Sequence, residues 1–158
     1  MAIEIERKFL VTSHEWQEVL GVMFSQGYLN RDKDRTVRVR VAGPHGFLTI
    51  KGSTSGATRA EFEYEIPLID AESLLKLCEG PIIQKIRRVI HYKGFKWELD
   101  EFLGENAGLV VAEIELKSEE QPFDKPSWLG QEVTYDPRYY NSNLSENPYG
   151  SWQQSQNV

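Results

Sequence analysis

Charged residues recur at every second position through segment after segment of this chain, and the positions between them are apolar. A repeat of two is the period of a β-strand, whose successive side chains point to opposite faces. On this basis eight segments read as strands: 3–11, about 22–30, 35–41, 47–52, 59–67, 81–92, 95–103 and 109–117. The links Ala42-Gly43-Pro44-His45-Gly46 and Lys93-Gly94 are short and carry glycine, as antiparallel hairpins require. Three short helices are expected between or after the strands. They are 13–20 with Ser13 as its cap, 70–78 with Asp70 as its cap and Leu74, Leu75 and Leu77 as its apolar side, and 136–145, entered through Pro137.

The polar faces are unusual. Glu4, Glu6 and Lys8 oppose Ile3, Ile5 and Phe9, and Arg38 and Arg40 oppose Val37, Val39 and Val41. Thr49 and Lys51 share a face, as do Glu61, Glu63 and Glu65, then Lys85 and Arg87, then Glu98 and Asp100, then Glu113, Glu115 and Lys117. The ordinary account of such faces is a solvated exterior with acids and bases paired across strands. Against it stands segregation: some strands carry clustered carboxylates and others clustered Arg and Lys, where a solvated face mixes Ser, Thr, Gln and Lys.

If the sheet closes on itself, eight strands enclose room for side chains and a small ligand. The charged faces then point inward and the apolar faces outward, beneath the helices. An interior holding Lys8, Arg38, Arg40, Lys51, Lys85 and Arg87 requires a hydrated anion, because unpaired buried charges cost several kcal/mol each. Glu4 with Glu6, and Glu113 with Glu115, stand two apart and can present oxygens to a hard cation. Mg²⁺ or Mn²⁺ suits them, since such ions retain water and combine a few carboxylates with phosphate oxygens.

The 158 residues, 40% hydrophobic and 27% charged, fit one domain over 1–148, with a Ser, Gln and Asn-rich flexible tail at 149–158 in which Trp152 could still dock. A net charge of -6 argues against nucleic acid as a partner. The lone Cys78, and the lack of any apolar run of signal or membrane-spanning length, make cytoplasmic the expected location, without membrane or obligatory protein partner. Cys78 reads as a small apolar helix residue, and His14, His45 and His91 lack ligand spacing. Arg88 has the opposite parity to Lys85 and Arg87 and belongs outside the barrel.

The run Glu4-Ile5-Glu6-Arg7-Lys8-Phe9-Leu10-Val11 resembles the Glu-x-Glu-x-Lys signature of the CYTH, or triphosphate tunnel metalloenzyme, superfamily. The likeness continues in family order through Arg38-Val39-Arg40, Thr49-Ile50-Lys51-Gly52, Glu61-Phe62-Glu63-Tyr64-Glu65, Lys85-Ile86-Arg87, Glu98-Leu99-Asp100 and Glu113-Ile114-Glu115-Leu116. The stretch from Trp128 to Leu144 resembles the C-terminal region of small bacterial members of inorganic triphosphatase type, where a helix plugs one tunnel mouth.

The resemblance implies a mainly β fold (α+β), an eight-stranded antiparallel tunnel open at both ends, binding one or two divalent metals and a small anionic triphosphate. It implies that Glu4, Glu6 and Glu115 hold the metal that grips the phosphates, and that Glu113 serves a second metal or the attacking water. Lys8, Arg38, Arg40, Lys51, Lys85 and Arg87 would contact phosphate oxygens, and Glu61, Glu63 and Asp100 would orient bases or waters. Hydrolysis of inorganic tripolyphosphate to diphosphate and phosphate is the leading expectation, because no insertion forms a base-binding pocket. The alternatives are a class IV-type adenylyl cyclase, a thiamine or nucleoside triphosphatase, and a noncatalytic polyphosphate-binding module.

Overall fold

The computed structural model describes residues 3–156, with backbone alone for 153–156. Among the described residues nine strands are present: β1 (Ile3–Val11), β2 (Gly21–Asn30), β3 (Arg35–Ala42), β4 (His45–Gly52), β5 (Thr58–Ile66), β6 (Glu79–Tyr92), β7 (Phe95–Phe102), β8 (Val110–Glu115) and β9 (Leu129–Glu132). They pair antiparallel in the order β5-β4-β3-β2-β6-β7-β8-β1, and β1 returns to β5 to close an eight-stranded barrel. The closing strand serves three neighbours. Glu4 lies opposite Arg59 of β5, Glu6 and Lys8 lie opposite Glu115 and Glu113 of β8, and Phe9 and Val11 accept β9 along the edge that β5 has left.

The barrel is polar within and apolar without, as the alternation requires. On the outer wall of β1, β7 and β8, Phe9, Trp97, Leu99, Ala112 and Ile114 form a core covered by Trp16, Leu116 and Trp128. Trp97 meets the Phe9 and Trp128 rings edge-on at 5.8 and 5.5 Å, a favoured aromatic geometry. Helix α1 (Leu68–Leu75) packs outside β3 and β4, with Ala71 fully buried where Gly46 makes room. A Cβ on Gly46 would stand only 2.6 Å from that of Ala71. The outward side of β5 is not covered by a helix: Phe62 and Tyr64 are 44% and 56% exposed.

Inward-facing columns change character along the barrel. Glu4, Glu6 and Lys8 give way to Leu10, Arg87 and Lys85 to Ile83, Glu98 and Asp100 to Phe102, and Glu115 and Glu113 to Val111. At that apolar end Ile83, Phe102 and Val111 form a second core with Val133, Tyr139, Leu144 and Trp152. The last three come from the turn Pro137–Tyr139, helix α2 (Asn141–Glu146) and helix α3 (Tyr149–Gln156). The tunnel is therefore blind, closed at one mouth by a helical plug and not open at both ends.

All eight expected strands are present, within two residues of their expected ends. The ninth is four residues long, too short for alternation to register. The helix expected at 13–20 is a single 3-10 turn, Glu15–Glu18, with no side-chain cap, because β2 begins at Gly21 and the turn serves to bury Trp16. Helix α1 begins before Asp70, after Pro67, whose carbonyl accepts from the Asp70 and Ala71 amides. It ends before Cys78, which lies in the following turn; Leu77 is exposed. The segment expected as one helix at 136–145 divides at Tyr140 into the 3-10 turn, capped by Asp136, and α2. Within the segment expected as a flexible tail, Tyr149–Gln156 is helix α3, and Trp152 is 8% exposed. Asn157 and Val158 lie outside the described residues.

Candidate active site

A cavity of about 470 Å³ runs down the barrel axis. The candidate side chains converge on it from six strands. Glu4, Glu6 and Lys8 reach it from β1, Arg38 and Arg40 from β3, Lys51 from β4, Glu61 and Glu63 from β5, Lys85 and Arg87 from β6, and Glu113 and Glu115 from β8. Asp100 of β7 is the exception, standing behind the lining bases, 1% exposed.

The bases differ in how they are compensated. Asp100 binds the Lys85 ammonium at 2.7 Å and takes Arg87 in a two-pronged pair at 2.7 and 2.8 Å, while Glu98 takes the remaining Arg87 arm at 3.0 Å. Against the upward push of burial, Arg87 and then Lys85 hold Asp100 well below the usual carboxylate range. Burial depresses the Lys85 ammonium even though Asp100 opposes the shift. Lys51 lies 2.9 and 3.1 Å from the two Glu4 oxygens, and Lys8 lies 3.6 Å from Glu113.

Two arginines are less fully compensated. Arg40 has no carboxylate within ion-pair distance among the described residues; its Nε donates to Gln26 at 3.0 Å, and its guanidinium lies 4.8 Å above the Phe24 ring. Burial, then Arg38 and Arg87, push Arg40 down to about 9. Arg38 reaches Glu63 at 3.6 Å and Thr49 at 3.3 Å, but its buried Nε has no hydrogen-bond partner among the described residues. A buried, unsatisfied charged donor is costly, and an anion with several acceptor oxygens satisfies both guanidinium groups.

The carboxylates are crowded. Burial and the neighbouring Glu113 raise Glu6 well above the usual carboxylate range. Burial and a hydrogen bond with Glu61 raise Glu4 to about 7 despite Lys51. Glu113 moves the other way, because Lys8 and the hydrogen bond from Glu6 outweigh its burial. Burial, then Glu4 and Glu98, raise Glu115. Among the described residues no three carboxylates form a closed cation cage. Pairs of oxygen donors on adjacent strands fit a hard divalent ion that fills its remaining positions with water and phosphate oxygens, and such an ion would relieve the repulsion.

Several inward-facing groups were given no role by the sequence. Glu98 shares the parity of Asp100 and was legible as a partner for Arg87. Phe24, Gln26 and Tyr28 face inward from β2, whose alternation carries no charge to mark it. Asn141, at the start of α2, accepts from Lys85 at 3.3 Å and from Gln26 at 3.1 Å, and no sequence pattern announces a plug residue touching a wall base. Arg59 and Lys96 also line the cavity. Arg88 is outside, paired with Glu101 at 2.8 Å and stacked over Trp16.

Comparison with known proteins agrees with this geometry. The chain is 52% identical over 156 residues to an inorganic triphosphatase of Acetivibrio thermocellus, covering 98% of this chain and 100% of that protein. It is 39% identical over 146 residues to an inorganic triphosphatase of Nitrosomonas europaea, covering 90% and 96%. A crystal structure of an inorganic triphosphatase superposes with a TM-score of 0.66 at 37% identity, covering 92% of this chain and 95% of that one. The CYTH domain profile matches residues 2–144, from the first carboxylates of β1 into the plug helix, and the chain belongs to the CYTH domain family.

Proposed function

We propose that this chain is a metal-dependent inorganic triphosphatase that hydrolyses tripolyphosphate to diphosphate and phosphate inside its blind tunnel. The observation that carries this is the pair of under-compensated guanidinium groups: buried Arg40 without a carboxylate, and Arg38 with an orphaned Nε. Family resemblance and relatives that are inorganic triphosphatases support the same reading.

The lining carries eight basic and seven acidic side chains, with Asp100 behind them, so a bare polyanion gains little net attraction and enters with cations. A divalent ion, Mg²⁺ or Mn²⁺, would neutralise phosphate oxygens and supply water made acidic enough to attack phosphorus. Glu4, Glu6 and Glu115 would hold it, with Glu113 holding a second ion or the water. Arg38, Arg40, Lys8, Lys51, Lys85 and Arg87 position the phosphates and stabilise the charge that builds on the departing diphosphate. Asp100 keeps Lys85 and Arg87 in place, Glu63 steadies Arg38 directly and through Thr49, and Glu61 steadies Glu4. No side-chain nucleophile is required, since phosphoryl transfer depends on positioning and charge stabilisation.

Phosphate release is measured from tripolyphosphate, ATP, thiamine triphosphate and diphosphate, with Mg²⁺, Mn²⁺ or chelator. Tripolyphosphate with metal is expected to be fastest, chelator to abolish release, and ATP to yield no cyclic AMP. Arg40→Met raises KM for tripolyphosphate by about tenfold or more, the scale of one charge-assisted contact. Release from none of the four compounds would overturn the proposal.

Glu4 gives a pH test. Its folded value of about 7 exceeds the ordinary 4.5, so its protonated form favours the folded state. That contribution is complete below the unfolded value and is lost as pH rises through the folded one. In chelator, Tm should fall between about pH 5 and about pH 8, and a divalent ion should reverse the fall by binding the ionised carboxylates. A Tm that stays flat with pH and is unmoved by metal contradicts the assignment of Glu4 as a ligand.

A further inference from the structure

The Lys8 ammonium donates to the main-chain carbonyl of Tyr139 at 3.0 Å, besides facing Glu113. Tyr139 ends the turn Pro137–Tyr139, and much of what fixes that turn lies beyond the plug helix. The Tyr139 ring meets Trp152 of α3 edge-on at 5.2 Å, and the Arg138 guanidinium lies over both rings at 5.6 and 5.3 Å. Trp152 is itself held. Its Nε1 donates to the Asn147 carbonyl at 3.0 Å, and its ring meets Tyr149 at 5.4 Å. The start of α3 is anchored on the link between β7 and β8: the Tyr149 amide donates to Asn106 Oδ1 at 2.9 Å, and Gly150 packs where a Cβ would stand 2.9 Å from the Glu105 carbonyl. The CYTH profile match ends at residue 144, before α3.

We propose that Trp152 is a positioning residue for the reaction: through Tyr139 it fixes the carbonyl that aims the Lys8 ammonium at the triphosphate. A lysine ammonium on a flexible four-carbon stem needs such an aiming partner more than a planar guanidinium does. Displacement of about 1 Å, transmitted from a distant site, is enough to weaken catalysis by up to about 100-fold. The proposal rests on the triphosphatase reading above in assigning Lys8 to the phosphates.

The test compares wild type, Trp152→Ala, Trp152→Phe, Lys8→Met and the double variant Trp152→Ala/Lys8→Met, all assayed well below their melting temperatures. Trp152→Ala is expected to lower kcat/KM for tripolyphosphate about tenfold, and Trp152→Phe, which keeps an edge-on ring, to restore most of it. In the Lys8→Met background the Trp152→Ala loss should shrink below about twofold, because the group it positions is gone. Equal losses in both backgrounds, or a lowered Tm with unchanged kcat/KM, would overturn the proposal. A second readout needs no turnover: the side-chain ammonium NMR signal of Lys8, assigned by its absence in Lys8→Met, should shift in Trp152→Ala. An unmoved signal rejects the positioning role even if activity falls. Wild-type protein that releases no phosphate would instead reject the triphosphatase reading and leave the NMR result to decide the Trp152 contact.

Discussion

Glu6→Gln should abolish phosphate release from tripolyphosphate and at the same time raise the melting temperature of the metal-free protein. The two effects have one cause. Glu6 is half-buried beside Glu113, and the folded state resists its ionisation. Burial and Glu113 raise Glu6, so its ionised form opposes folding above the ordinary carboxylate range, and a neutral amide of the same shape removes that opposition. In the proposed reaction the ionised form would bind a divalent ion. Partners one layer outside a metal are already worth 10- to 100-fold, so losing a direct ligand should lower kcat/KM by more than about 100-fold. Paired assays of phosphate release and thermal unfolding at about pH 8 check this. An active Glu6→Gln enzyme would reject the ligand assignment, whereas an inactive and destabilised one would show Glu6 to be structural. Sites poised for function commonly sacrifice stability in this way.

The barrel was legible because its chemistry coincides with the strand period. Seven strands carried a charge at alternate positions, and neither the register nor the closure had to be known for those charges to share a face. β2 was recognised only as a strand: Phe24, Gln26 and Tyr28 alternate with Ser25 and Gly27, and nothing in that pattern says which side is inward. The blind end was also written in the chain. The charged columns of β1, β6, β7 and β8 finish in apolar residues, Leu10, Ile83, Phe102 and Val111, and a tunnel open to water at both ends would have little reason for that. The plug itself was expected from the resemblance of the stretch from Trp128 to Leu144 to the family's C-terminal region.

What stayed illegible is non-periodic. The short β9, the division of the plug at Tyr140, and the contacts of Asn141 and Tyr139 with Lys85 and Lys8 depend on how the chain returns across a mouth about 130 residues after β1. Local pattern contains no such information. Helix α3 was illegible for a related reason: its run of Ser, Gln and Asn has no apolar period, and its packed side is marked by Trp152, which meets Tyr139 edge-on.

Asp100 carries the second large effect, and it falls on stability before chemistry. Its two oxygens accept from Lys85 and from Nε and Nη2 of Arg87, and Lys85 is fully buried. Asp100→Asn keeps the shape and removes the charge, leaving two adjacent cations with Glu98, Asn141 and the field of Glu113 for relief. Breaking a buried pair from one side costs about 3–5 kcal/mol, which in a protein of this size lowers Tm by roughly 10 °C. The sign with pH is specific. Asp100 is depressed in the folded state, so wild type holds this contribution above the ordinary carboxylate value of 3.8 and loses it as pH falls toward the folded value. Asp100→Asn lacks it throughout, and the two Tm curves should converge in acid. Adding Lys85→Met should recover part of the loss near neutral pH, since it removes one uncompensated cation. A variant within about 2 °C of wild type at pH 7 would mean that the arginine and lysine are solvated by tunnel water instead, and that the deep wall is not a dry ion-pair network.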